Sequence, residues 1–240
     1  MILNQGYLVK RRTSTRQVEP YTMRLVEAKE IDRVMQLQHQ VYEGLPNKQV
    51  LYKDTKIEML DDLYNGALII GVFNSEDRLI SYRYISFPGK SNKNLGNDIQ
   101  LLESELDRVV HLETTLVDPQ YRGNRLQSLT LSKAIELIEP MEMKHLLCTV
   151  SPYNLFSLYN IMSAGLNIKA LKRKYGDEAQ NGMWRFILHK DISDDIAWND
   201  LNAKSLKMDS LLEQKFLIEK GYVGYKLNKD TQMIQYSLAN

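Results

Sequence analysis

A strand that ends on proline and runs through a glycine turn into an amphipathic helix constrains this chain more than any other stretch. Val109, Val110, Leu112, Leu116 and Val117 make a β-type run. Pro119, after Asp118, cannot donate to a continuing ladder, so the strand stops there. The turn Gln120-Tyr121-Arg122-Gly123-Asn124-Arg125-Leu126-Gln127 follows. Leu126, Leu129, Thr130, Ala134, Leu137 and Ile138 then recur at three- and four-residue spacing, and Leu131 and Ile135 widen the apolar row. The spacing predicts a mostly buried helix over residues 122–139, ended by Pro140. The first turn of such a helix carries amides without intrahelical partners and the positive end of the helix dipole, which together attract an anion such as phosphate. Gly123 lets that anion approach the backbone closely.

The 240 residues are enough for one large domain, or for a domain of ordinary size with an appendage. Hydrophobic content of 43% and charged content of 25% are those of a soluble globular protein, and a formal charge of +1 argues for neither a nucleic-acid nor a membrane surface. The local run Lys10-Arg11-Arg12 with Arg16 reads as a solvated arm rather than a nucleic-acid arm. Cys148 is the single cysteine, which excludes a disulfide within the chain and a cysteine-based metal site and fits a reducing cytoplasm. No signal-peptide core and no apolar run of membrane-spanning length is present, so export by that route and membrane embedding are not expected.

Along the chain, residues 1–20 show no strong period and are expected as an arm or an extra strand. Tyr21 to Val26 reads as a strand and residues 28–44 as a helix. A second helix over 55–64 is expected to turn Ile57, Leu60, Leu63 and Tyr64 inward. Residues 67–73 and 79–86 form a hairpin, and 87–97 has the Pro, Gly, Ser, Asn and Lys content of a long exposed loop. After the central helix come a strand at 145–150, a helix from the Asn154 cap to Ala164 with Gly165 as its stop, and strands at 168–171 and 183–188. A polar connection from Tyr175-Gly176 to Asn181-Gly182 joins the last two. Beyond Asp191 a polar linker leads to a helix using Met208, Leu211, Leu212 and Phe216, and then to a hairpin around Asn228-Lys229-Asp230-Thr231.

The turn resembles the acetyl-CoA diphosphate loop of the Gcn5-related N-acetyltransferase (GNAT) superfamily, [Gln/Arg]-x-x-Gly-x-[Gly/Ala] after a Val-x-Pro strand end. Val117-Asp118-Pro119 and Gln120-x-x-Gly123 match, while Arg125 replaces the small third residue. The order β-α-α-β-β-β-α-β-α-β-β over residues 21–190 is also the order of that family. The resemblance implies an α/β fold: a GNAT-like mixed central sheet with a splayed parallel strand pair and helices on both faces, plus a small C-terminal α/β appendage. The corresponding division is an arm at 1–20, an acetyltransferase-like domain at 21–190 and an extension at 191–240 packing on it.

The resemblance further implies an N-acetyltransferase with acetyl-CoA as co-substrate and the amine of a small molecule or peptide as acceptor. Arg122, Gly123, Asn124, Arg125, Leu126 and Gln127 would anchor the diphosphate. Leu116 and Val117 would lie at the thioester, a backbone N–H near Leu116 serving its carbonyl. The pantetheine would enter between residues 109–117 and 145–150 and pair with backbone groups of Cys148, Thr149 and Val150. Asn154 and Ser157 match polar positions at the end of that arm, with Asn154 equally suited to a plain helix cap. An amine with a pKa of about 10 must lose a proton before attack. Glu113 is the first candidate to take it and His111 the second, since period-two alternation puts both on one face of the strand with Thr115. The position at which many relatives carry a tyrosine acid is Ile161, so no general acid transfers by motif. Arg125 could crowd the loop or offer the phosphates a guanidinium. A catalytically inactive CoA-binding or sensory protein and a partner-binding module therefore stay open beside the enzyme, and a homodimer is open to all three.

Overall fold

The computed structural model describes residues 1–11, 16–176, 182–193, 198 and 202–238. Arg12 and most of the polar connection after Gly176 lie outside the described residues. In their first unit, made of Met1–Lys48, Lys53–Phe87 and Leu112–Glu142, the chain opens with a hairpin. β1 (Ile2–Arg11) pairs antiparallel with β2 (Arg16–Leu25), from Ile2↔Arg24 to Arg11↔Arg16. The strand expected to open at Tyr21 thus opens at Arg16. The added residues Arg16, Gln17 and Glu19 carry no apolar alternation, and what orders them is the ladder to β1, which periodicity does not report.

α1 (Ile31–Glu43) buries Ile31, Val34, Leu37, Gln38 and Val41, and α2 (Lys56–Tyr64) starts at a Thr55–Glu58 capping box. Met59 is the buried residue of α2, whereas Ile57 and Tyr64, expected inward, are exposed. Positions two apart lie about 200° apart around a helix, so burying Met59 turns Ile57 out. β3 (Leu68–Asn74) and β4 (Leu79–Ser86) extend the hairpin sheet in the order β1-β2-β3-β4. In β4, Arg83 reaches the first turn of α3 (Leu126–Ile138) and Tyr84 reaches Asp62 of α2. Adjacent strand residues point to opposite faces, so these two helices flank β4 on opposite sides.

β5 (Val109–Val117) contributes Leu112–Val117 to this unit. Its end is set by Asp118, which is fully buried. The Asp118 carboxylate accepts from Gln120 N–H (2.9 Å), Arg78 Nη2 (2.8 Å) and Gln40 Nε2 (3.3 Å), and its own N–H donates to Ile80 O (2.8 Å). One charge therefore ties together the strand end, the following turn, the β3–β4 connection and α1.

The second unit comprises Gln49–Tyr52, Pro88–His111 and Met143–Asn240. β6 (His145–Val150) runs parallel to the start of β5 over three pairs, Val109↔His145 to His111↔Leu147. After α4 (Leu155–Ser163), β7 (Asn167–Lys174) and β8 (Met183–Asp191) form an antiparallel pair, and β8 pairs with all of β6. β9 (Lys204–Lys207), unannounced by any apolar pattern, is followed by α5 (Leu211–Glu219), β10 (Tyr222–Asn228) and β11 (Met233–Leu238). The order β6-β8-β7-β10-β11-β9 incorporates the C-terminal residues into the same sheet.

The loop expected to be exposed at 87–97 has a buried centre. Leu95 packs with Val109, Leu147, Ala170 and Ile187. Asn94 Nδ2 donates to Gly89 O (2.6 Å) and Leu106 O (3.1 Å), and its Oδ1 accepts from Gly96 N–H (2.8 Å). A polar composition is compatible with burial here because one amide satisfies the loop's own backbone.

Replacing Asp118 with Ala removes the cap and the charge-assisted bonds, and is expected to cost about 2–4 kcal/mol. Urea unfolding followed by circular dichroism checks this.

Candidate active site

After Asp118 the chain makes a short 3-10 turn, Pro119–Tyr121, and then leaves right-handed geometry twice: Gly123 has φ of 86° and Arg125 φ of 56°. The helix consequently begins at Leu126 and not at residue 122, because left-handed residues cannot propagate it. Its first backbone bond runs from Leu129 N–H to Arg125 O (2.9 Å), so the amides of Leu126 and Ser128 stand ahead of the ladder. Arg122, Gly123 and Arg125 are exposed. Leu126 is buried, and Gln127 O accepts from the buried Arg83 (3.0 Å). At the strand end Leu116 O accepts from Ser81 Oγ (2.8 Å), and Val117 is half-buried.

The N-terminal hairpin covers this turn. Asn124 Nδ2 donates to Val9 O (2.8 Å) and Tyr121 O (2.9 Å), and its Oδ1 accepts from Val9 N–H (2.9 Å). Tyr121 donates to Glu19 Oε1 (2.5 Å) and accepts from Asn74 Nδ2 (3.1 Å), with Lys10 Nζ 5.7 Å from its ring centre. A Cβ on Gly123 would stand 2.6 Å from Arg11 Nη2. The basic run expected as a solvated arm is therefore only partly solvated: alternation along the paired strand turns Lys10 inward, while Arg11 stays exposed with its guanidinium over Gly123. Arg11, Arg122 and Arg125 thus place three guanidinium side chains at the turn.

In the same unit a polar group surrounds Glu113. Its Oε1 accepts from Ser86 Oγ (2.8 Å), and Tyr84 donates to Asp62 in a short bond. Asp54 sits close by in electrostatic terms: Thr114 hydrogen-bonds its carboxylate, and the Glu113 charge acts on it. Gln38, buried on α1, grips the Asp54 backbone at both N–H (3.1 Å) and carbonyl (2.8 Å). Among the described residues, Asp54 Oδ2, Tyr82 OH and Thr115 Oγ1 are buried without a hydrogen-bond partner. Burial first, then the Glu113 charge, push the Asp54 carboxyl up to about 6, against the Thr114 bond. Burial, and secondarily Asp54, push the Tyr82 phenol up.

The second unit holds the other expected residues. His111 is buried and its Nε2 accepts the Leu95 N–H (3.0 Å), so that nitrogen holds the loop centre. β6 continues through Cys148, Thr149 and Val150 past its last pair with β5, and these three pair with Leu188, Ile187 and Phe186 of β8. Thr149 Oγ1 lies 2.6 Å from Tyr175 OH, and Tyr175 stacks on Tyr52 with ring centres 4.4 Å apart. Asn154 caps α4, its Oδ1 accepting from Ser157 N–H (3.2 Å). Ile161 is buried, while Lys172 and Lys174 both pair with Asp98. Among the described residues no group of three or more His, Cys, Asp or Glu side chains is arranged to hold a metal, and no helix is long and apolar enough to cross a membrane.

No protein-family model and no curated protein matches the chain. Solved structures do. A GNAT-family acetyltransferase from Streptococcus pneumoniae is 17% identical with a TM-score of 0.52, covering 72% of this chain and 99% of its own. The ribosomal-protein-S18-alanine N-acetyltransferase from Escherichia coli is 14% identical at 0.53, covering 75% and 98%. A GNAT superfamily phosphinothricin acetyltransferase from Sinorhizobium meliloti, solved in complex with acetyl-CoA, is 14% identical at 0.51, covering 71% and 88%. The chain has the GNAT fold.

Within this GNAT fold, the first unit carries Leu116 and Val117 at the end of β5 and residues 122–127 in the turn that follows, and the Glu113 charge acts on Asp54. Asp54 and Tyr82 escape sequence reasoning, since Asp54 lies between two helices without a period and Tyr82 reads as an ordinary strand residue. Arg11 was legible only as part of a charge run.

Between the unfolded value of the Asp54 carboxyl and about 6 the folded protein keeps a proton that the unfolded chain has released, so stability is fullest at the acid end and falls as pH rises. Roughly 3 kcal/mol should be lost across that window from this group alone. Asp54→Asn should flatten the loss, as read from denaturation midpoints at a series of pH values.

Proposed function

We propose that the chain is an acetyl-CoA-dependent N-acetyltransferase that transfers the acetyl group to the amine of a small molecule or peptide. The observation that carries the reading is the turn before α3, with left-handed Gly123 and Arg125, exposed guanidinium side chains and helix amides ahead of the first backbone bond. The fold shared with acetyltransferases, one of them solved with acetyl-CoA, supports it. Bound acetyl-CoA supplies an activated acetyl thioester.

The chain's own residues then have distinct tasks. The amides of residues 122–127 and the side chains of Arg11, Arg122 and Arg125 neutralise the diphosphate. Arg125 thus acts as a phosphate partner. Asn124 fixes the turn to β1 rather than meeting the ligand through its side chain. Thr149 and Val150 offer backbone groups to the pantetheine amides, and Asn154 with Ser157 shapes the start of α4 beside them in sequence. The N–H near Leu116 serves the thioester carbonyl. Glu113 assists deprotonation of the amine, and His111 supports the loop at Leu95. The single buried Cys148 suits the cytoplasm.

Isothermal titration with coenzyme A and a thiol-release screen across amines test the reading. Binding without thiol release would favour a CoA-binding sensor, and no heat of binding would favour a partner-binding module. Gly123→Ala should cost about 1–2 kcal/mol of stability from its left-handed backbone and weaken coenzyme A binding. Glu113→Gln should lower kcat by about a hundredfold with coenzyme binding unchanged, as steady-state kinetics would show.

A further inference from the structure

Arg83 is among the largest fully buried side chains and lies in β4, a strand buried along its whole length. Its Nη2 donates to Gln127 O (3.0 Å) and its Nε to Thr130 Oγ1 (3.3 Å). The Thr130 hydroxyl donates in turn to Leu126 O (2.8 Å), which leaves its lone pairs for the guanidinium. Both contacts fall at the start of α3, straight after the exposed Arg122, Gly123 and Arg125.

A guanidinium is a costly way to pack a strand against a helix. An apolar side chain of similar length would fill the space without taking a charge out of water. The position is also the positive end of the α3 dipole, which opposes a cation. Packing alone therefore does not call for arginine here.

The Gln127 carbonyl is one half of a peptide group whose other half is the Ser128 N–H. That group is planar and trans, so the two bonds point in opposite directions and holding one holds the other. The Ser128 N–H precedes the first bond of the helix ladder, from Leu129 N–H to Arg125 O, and Ser128 is exposed. A charged donor on the carbonyl also polarises the peptide group, which makes its N–H a stronger donor.

We infer that Arg83 is a positioning residue of the coenzyme turn: it holds and polarises the Gln127–Ser128 peptide group, so that the Ser128 N–H meets the diphosphate as a fixed, strengthened donor. The inference rests on the acetyl-CoA reading and adds the Ser128 amide to those of residues 122–127. Arg83 acts only through the helix. Its planar fork reaches Gln127 O and Thr130 Oγ1 together, whereas a lysine would reach one acceptor at a time.

The test titrates the full, isotope-labelled chain with coenzyme A, following the heat of binding and the amides of Ser128 and Leu116. Both amides should shift saturably in the wild type, Ser128 downfield. Arg83→Met should weaken coenzyme A by about tenfold and, at saturation, lose at least about half of the Ser128 shift while the Leu116 shift is kept. Arg83→Lys, which retains a charged donor, should recover part of both losses. Thr130→Val removes the second point of the grip and should weaken binding by about threefold; it carries the test if melting curves show that Arg83→Met does not fold. Unchanged affinity in the variants, equal loss of the Ser128 and Leu116 shifts, or no recovery with lysine would overturn the inference and leave the coenzyme reading standing. So would coenzyme A that binds the wild type without moving Ser128. A wild-type chain that gives neither heat nor shifts would instead remove the coenzyme reading itself.

Discussion

The carboxylate of Asp118 is the interaction on which the first unit's functional end depends. It is fully buried, yet its partners arrive from three directions: the Gln120 amide, the Arg78 guanidinium and the Gln40 amide. A buried charge is tolerated only when its hydrogen-bonding capacity is met, and here meeting it fixes where β5 stops. The chain then turns sharply enough to require left-handed Gly123 and Arg125 before α3. Tyr121 and Asn124 fasten the result to the N-terminal hairpin, which brings Arg11 against the glycine.

Asp54 shows the opposite treatment of the same chemical group. Its backbone is gripped by Gln38, so its position is well determined, but one of its carboxylate oxygens is buried with no partner. Tyr82 and Thr115 share that condition.

The elements most legible in the sequence are those whose burial follows a period. β3, β4, β5, β6 and α1 fall close to their expected ranges because apolar alternation or three- and four-residue spacing records which face is buried. Elements ordered by hydrogen bonding to a distant partner are not recorded in this way. β2 begins early because β1 pairs with it, and β9 exists because β11 does. The rotation of α2 likewise follows the packing of Met59, which its own sequence pattern did not favour over Ile57.

A proline-stopped strand that feeds a glycine turn and a buried helix, with Glu113 and His111 on the strand before it, is legible in the residues alone. Short-range sterics and hydrophobic periodicity suffice for that. Folding was needed to set His111 on Leu95, to rest Arg11 on Gly123, and to bring Asp54 within the field of the Glu113 charge. Each of these depends on a contact between segments far apart in the chain, and the strength of a hydrogen bond or charge pair is set by burial and distance, which appear only once the chain has folded.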